Sequence, residues 1–118
     1  MSKESIILNK SFDFALRSID LYKVLLAKNE YVLSKQFLRS ATSIGANVEE
    51  ALAGISKKDF TAKMSISSKE ARETRYWLRL IKYASISEFD IESLLKDCEE
   101  LIKILTKIVK TSQESIIK

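Results

Sequence analysis

The chain has no proline and only two glycines, Gly45 and Gly54, in 118 residues. Almost nothing in it interrupts a helix, and apolar residues recur at three- and four-residue spacing along most of its length. The fold class is therefore all-α. At this length one hydrophobic core is the default, so residues 1–118 are read as a single domain.

The apolar periodicity divides the chain into four helices, at about 9–28, 34–53, 57–84 and 90–113. In the first, Phe12, Ala15, Leu16, Ile19, Tyr22 and Leu26 form the main face, with Phe14, Leu21 and Leu25 beside it, and Asn9 or Ser11 is the expected cap. Ser34 is expected to cap the second, whose buried face is Phe37, Ala41, Ile44, Val48 and Ala51. Gly54 is expected to close it in a left-handed conformation. Ser56 followed by Asp59 is close to a capping box and marks the start of the third helix. That helix buries Phe60, Met64, Ser67, Ala71, Thr74, Leu78 and Ile81, a 4,3 alternation suited to a bundle seam. After a break over Ala84–Phe89, the fourth carries the most apolar face: Ile91, Leu94, Leu95, Cys98, Leu101, Ile102, Leu105, Ile108 and Val109. The tail from Glu114 is expected to fray. Connections this short place successive helices side by side, predicting an antiparallel up-down-up-down four-helix bundle.

Charge is concentrated in the third helix. Between Lys57 and Tyr83 lie eight cations and three anions, a balance of +5, whereas the whole chain is +4. Lys69, Arg72, Arg75, Arg79 and Lys82 recur along one face, where their fields add, and Tyr76 lies among them as a stacking surface for an unpaired base. Beside them a second apolar line, Ile66, Trp77 and Leu80, is a candidate oligomer interface. Lys96, Lys103, Lys107 and Lys110 on the fourth helix, interspersed with Glu99 and Glu100, read as an ordinary solvated face.

In the second helix, Ser40, Ser43, Asn47 and Glu50 share one line, with Gly45 inside the helix at a cost of about 1 kcal/mol relative to alanine. With Glu70 and Glu73 of the third helix they form either a small polar pocket or an inter-helix hydrogen-bond network that sets register; the network is the favoured reading. Arg39-Ser-Ala-Thr-Ser-Ile-Gly-Ala-Asn-Val-Glu-Glu-Ala, then Ser56-Lys-Lys-Asp-Phe, then Lys69-Glu-Ala-Arg-Glu-Thr-Arg-Tyr-Trp-Leu-Arg-Leu resemble the bacterial four-helix-bundle family named for proteins encoded in intervening sequences of 23S rRNA genes. The resemblance covers nearly the whole chain. It implies assembly as a homopentameric ring. It also implies kinship with the accessory protein of diversity-generating retroelements, a basic pentamer that works with reverse transcriptase and template RNA. It brings no catalytic residue set.

The chain contains no histidine and one cysteine, Cys98. That removes Ser/His and Cys/His nucleophile pairs, a histidine general base and the usual zinc and di-iron ligand sets, and no glycine-rich phosphate loop is present. No enzymatic activity, cofactor or metal is expected. Cys98 lies on the apolar seam and reads as a small core residue. No stretch approaches 18 consecutive apolar residues and the first ten lack a cleavage pattern, so the expectation is a soluble cytoplasmic protein with no membrane contact. Two functional readings stand side by side. One is a non-catalytic oligomeric accessory protein that binds nucleic acid, with structured RNA preferred to DNA, through the third-helix stripe. The other is a homo-oligomeric scaffold whose arginines form inter-subunit ion pairs with Glu49, Glu50 or Glu70 and which presents its surface to a partner protein such as a reverse transcriptase.

Overall fold

The computed structural model describes residues 2–84, 86 and 90–117, and the described residues contain four helices and no strand. They are α1 (Lys3–Ala27), α2 (Val32–Leu52), α3 (Lys57–Tyr83) and α4 (Ile91–Ile117). Of the break expected over Ala84–Phe89, Ser85 and Ser87–Phe89 lie outside the described residues.

The helix ends differ from expectation for local reasons. α1 starts six residues early because Ser2 caps it, its Oγ accepting from the Ser5 N–H at 3.1 Å, which leaves Asn9 and Ser11 inside the helix. It ends in a paired closure: the Asn29 N–H reaches Leu26 O and the Glu30 N–H reaches Leu25 O, both at 2.9 Å, with Asn29 left-handed at φ 63°. Ser34 does not cap α2. Instead the Glu30 carboxylate accepts from the N–H groups of Val32, Leu33 and Ser34 at 3.2, 2.9 and 2.7 Å, placing a negative charge at the positive helix end. Gly54 is not left-handed. A Cβ there would lie 2.9 Å from Asp59 Oδ2 and 3.0 Å from Ala51 O, so crowding rather than backbone handedness calls for glycine. The cap on α3 is as expected, with Ser56 Oγ accepting from the Asp59 N–H at 3.0 Å. Asp90 Oδ1 accepts from the Ser93 N–H at 3.2 Å where α4 begins. The expected fraying beyond Gln113 is replaced by helix to Ile117, held where Ser112 bonds Thr61 and where Lys57 Nζ donates to Ser115 Oγ at 2.7 Å.

Each helix packs on its sequence neighbours, α4 also packs on α1, and the diagonal pairs do not meet. The bundle measures 50 × 24 × 20 Å. Inter-helix bonds run in opposite numerical order along paired helices. Ser67 Oγ donates to Ile44 O at 2.8 Å and Thr74 Oγ1 to Ser40 Oγ at 2.9 Å across α2 and α3. Across α3 and α4, Thr61 meets Ser112, and the Cys98 thiol donates to Ala71 O at 3.2 Å.

The expected face of α2 is buried together with Ser34 and Ser40, that of α4 differs at its end, where Ser112 is buried and Val109 half-buried, and that of α3 differs only at its start, where Thr61 is buried and Phe60 is half-buried. For α1 the expected main face is wrong. The buried strip is Ile7, Ser11, Phe14, Ser18, Leu21 and Leu25, whereas Phe12 and Leu16 are 61% and 51% exposed. The reason lies in the two serines, which dilute the strip's apolar signal yet permit close approach. A Cβ on Gly45 of α2 would lie only 3.3 Å from Ser11 Oγ. Ser11 and Ser18 satisfy their hydroxyls within α1, on Leu8 O and Phe14 O, so neither costs the core an unpaired group.

Candidate nucleic-acid interface

The 4,3 spacing that buries Met64, Ala71 and Leu78 turns the basic residues of α3 outward along the side that borders α4. Lys69, Arg72 and Arg79 are exposed and Arg75 is half-buried. None of these four has a carboxylate within 4 Å among the described residues. Arg72 donates to Thr106 Oγ1 of α4 at 3.1 Å, which aims its guanidinium along the groove between the helices. Lys82 departs from the stripe, because it pairs with Glu92 of α4 and its ammonium also lies 5.0 Å from the Tyr83 ring centre.

The groove has two unlike ends. Lys69 and Arg72 share one with Thr106, Val109 and Lys110, and that end carries no acid. Arg79, Lys82 and Lys96 share the other with Asp90, Glu92 and Glu99, where the charges largely offset. Lys110 and Lys96 belong to the α4 line read from sequence as a solvated face, and the packing of α3 on α4 joins them to the stripe. Two neighbouring helices each carrying a lysine or arginine line were visible in sequence; which sides of the two helices meet was not.

The remaining acids on this side are committed elsewhere. Glu70 and Glu73, one turn apart, both pair with Arg39 of α2, the Glu70 contact at 3.2 Å. Trp77 Nε1 also donates to Glu73 at 3.0 Å. The Trp77 bond, and then the Arg39 guanidinium, hold the Glu73 carboxyl below its ordinary range against the opposing effect of burial. Arg39, absent from the sequence-derived site, thus takes both the Glu70 and the Glu73 carboxylates. Tyr76 is exposed, edge-on to Trp77 with ring centres 5.2 Å apart, and it offers the open aromatic face while Trp77 is half-buried.

The polar line of α2 divides. Ser40 bridges to Thr74, but Ser43 donates to Arg39 O at 2.7 Å and Asn47 to Ser43 O at 2.9 Å, both within α2. Glu50 pairs with Lys63 at 3.3 Å on the surface. Ile66 and Leu80 are exposed beside Trp77. Among the described residues no group of three or more Cys, Asp or Glu is placed to hold a metal ion, and no helix is long and apolar enough to cross a membrane.

The sequence model of the 23S rRNA-intervening sequence protein family matches residues 3–107. The chain belongs to that family. A solved structure of a protein of unknown function, described as from the S23 ribosomal protein family of Bacteroides thetaiotaomicron, is 45% identical. It aligns with TM-score 0.86 over 92% of this chain and 99% of its own. No curated protein matches. Membership in the 23S rRNA-intervening sequence family accords with the four-helix fold, and the side chains of the α3–α4 groove carry the functional argument.

Proposed function

We propose that this protein is a non-catalytic, cytoplasmic, oligomeric accessory protein that binds nucleic acid, structured RNA before DNA, along the α3–α4 groove, its helices running up-down-up-down. The observation that carries the reading is the set Lys69, Arg72, Arg75 and Arg79, none of them in an ion pair among the described residues, while nearby Glu70, Glu73 and Glu92 are each paired with another cation. Like charges gathered on one face repel one another and attract anions, and phosphates release condensed counterions when they bind. The acid-free end at Lys69, Arg72 and Lys110 is the strongest part of that surface. Opposed numbering of the paired helices supports the up-down-up-down arrangement, and the resemblance to ring-forming relatives supports a homopentamer.

The test is a titration against structured RNA and duplex DNA of equal length. Four phosphate contacts give a log–log salt slope of about −3 to −4, hence roughly a hundredfold loss between about 50 and 200 mM salt. Arg72→Glu with Arg79→Glu should abolish binding and leave the oligomer intact. If the wild type binds neither nucleic acid at the lower salt, and the same pair of reversals dissociates the oligomer, the arginines serve subunit contacts and the protein is a scaffold for a partner protein.

A further inference from the structure

At one place the two helices of the groove present matching polar rows. Ser65, Ser68 and Arg72 of α3 recur about one turn apart, as do Thr106, Lys110 and Gln113 of α4, so each row lies along one helix face. Packed side by side they line an open recess of about 310 Å³, together with Lys69 and half-buried Val109. Three cations converge there with no acid in the lining, and none of Lys69, Arg72 and Lys110 is in an ion pair among the described residues.

The central cation is held in place by the fold. Thr106 Oγ1 donates to Ile102 O at 2.7 Å and accepts from Arg72 Nη2 at 3.1 Å. That relay fixes the guanidinium through one N–H and leaves the others for a ligand. Half-buried Ser65 and Ser68 add hydroxyls beside it.

The charge count distinguishes between kinds of phosphate. A phosphodiester inside a strand carries one negative charge, whereas a phosphomonoester carries about −1.5 to −2 near pH 7 and three acceptor oxygens. Three converging cations match the second more closely than the first. The recess is too open to enclose a small molecule, which binds with most of its surface buried. The end of a strand needs only its phosphate held there, while the following nucleotides lie along the groove past Arg75 toward Arg79, about 10 Å away at about 1.5 Å per residue. Beyond Arg79 the acids Asp90, Glu92 and Glu99 repel further phosphates.

We propose that the acid-free end of the α3–α4 groove binds the terminal phosphate of an RNA strand, with Lys69, Arg72 and Lys110 as its cations and Thr106 positioning Arg72. This rests on the nucleic-acid reading above and specifies which part of the strand is recognised.

Three RNAs of one sequence, carrying a 5′-phosphate, a 3′-phosphate or neither, are titrated at about 50 mM salt, where phosphate contacts are strongest. A phosphorylated form is expected to bind about tenfold more tightly than the unphosphorylated one, the gain of one charge-assisted hydrogen bond. That ratio should shrink at about pH 5, because the second ionisation of a phosphomonoester lies near about pH 6. Lys110→Ala and Thr106→Val, both at exposed positions, should each bring the ratio close to one, and Thr106→Ser should preserve it. Equal affinity for the three RNAs overturns this inference alone and leaves the nucleic-acid reading standing; no binding of any of them overturns both. A preference unchanged in Lys110→Ala places the phosphate elsewhere and overturns the site. Adenosine monophosphate or orthophosphate binding as tightly as the phosphorylated RNA makes the recess a small-anion site and overturns the strand-end assignment.

Discussion

Leu16 and Leu21 lie five residues apart on α1, and they should respond very differently to truncation. Leu21 is 0% exposed and Leu16 51%. Leu21→Ala removes three carbon groups from the core at about 0.8 kcal/mol each, roughly 2.4 kcal/mol of transfer energy. Incomplete collapse of the cavity brings the loss to about 3–4 kcal/mol, inside the range of about 2–5 seen for such changes. At Leu16 about half the side chain is already in water and no closed cavity forms, so the cost in the isolated chain is about 1 kcal/mol. Taking a urea slope of about 2 kcal/mol per M, the unfolding midpoint falls by about 1.5–2 M for Leu21→Ala and about 0.5 M for Leu16→Ala. Helical circular dichroism in urea, at a protein concentration low enough to prevent self-association, measures both. Equal midpoints for the two variants, or a greater loss at Leu16, would refute the assignment of the α1 faces.

The folded-state carboxyl of Glu73 lies below the ordinary value of 4.5, chiefly through its bond from Trp77. A lowered carboxyl contributes stability that is fully present above its unfolded value and disappears as pH falls through the folded one. The difference in stability between wild type and Glu73→Gln, at most about 1 kcal/mol for a half-buried surface group, should therefore be constant well above the unfolded value, begin to shrink as pH falls past it, and be lost only once pH lies below the lowered folded value. Trp77, the only tryptophan, reports the same transition by fluorescence. Burial pushes the Cys98 thiol up to about 12, so at pH 8 iodoacetamide should label the folded protein about a thousandfold or more slowly than the unfolded chain. Labelling of the native protein at the unfolded rate would mean that Cys98 is not on the buried seam.

The relation between α1 and the α3–α4 groove shows why one part of the fold was legible and another was not. Helices α2 and α4 carry a single dominant apolar strip, so periodicity alone identifies what they bury. In α1 two strips compete, and the buried one contains Ser11 and Ser18. A serine can be better core than a phenylalanine where a neighbouring Gly45 brings the helices close, but that gain exists only once the neighbour is in place. The caps followed the same division. Ser56 acts on a residue three positions away and was readable, whereas the three-fold capping of α2 by Glu30 depends on the chain reversal set by Asn29.

What the amino-acid sequence determined by itself was the helical class, the number of helices, the family and the concentration of charge on α3, because each of these depends on composition or on spacing within one segment. Which face of α1 is buried, which cations remain unpaired and which acids neutralise the rest were decided by tertiary structure. Lys82 is offset by Glu92 and Glu73 by Arg39, while Lys69, Arg72 and Lys110 meet across a groove that neither helix possesses alone. Charge compensation and burial are properties of pairs, and residues dozens of positions apart become neighbours only when the helices have packed.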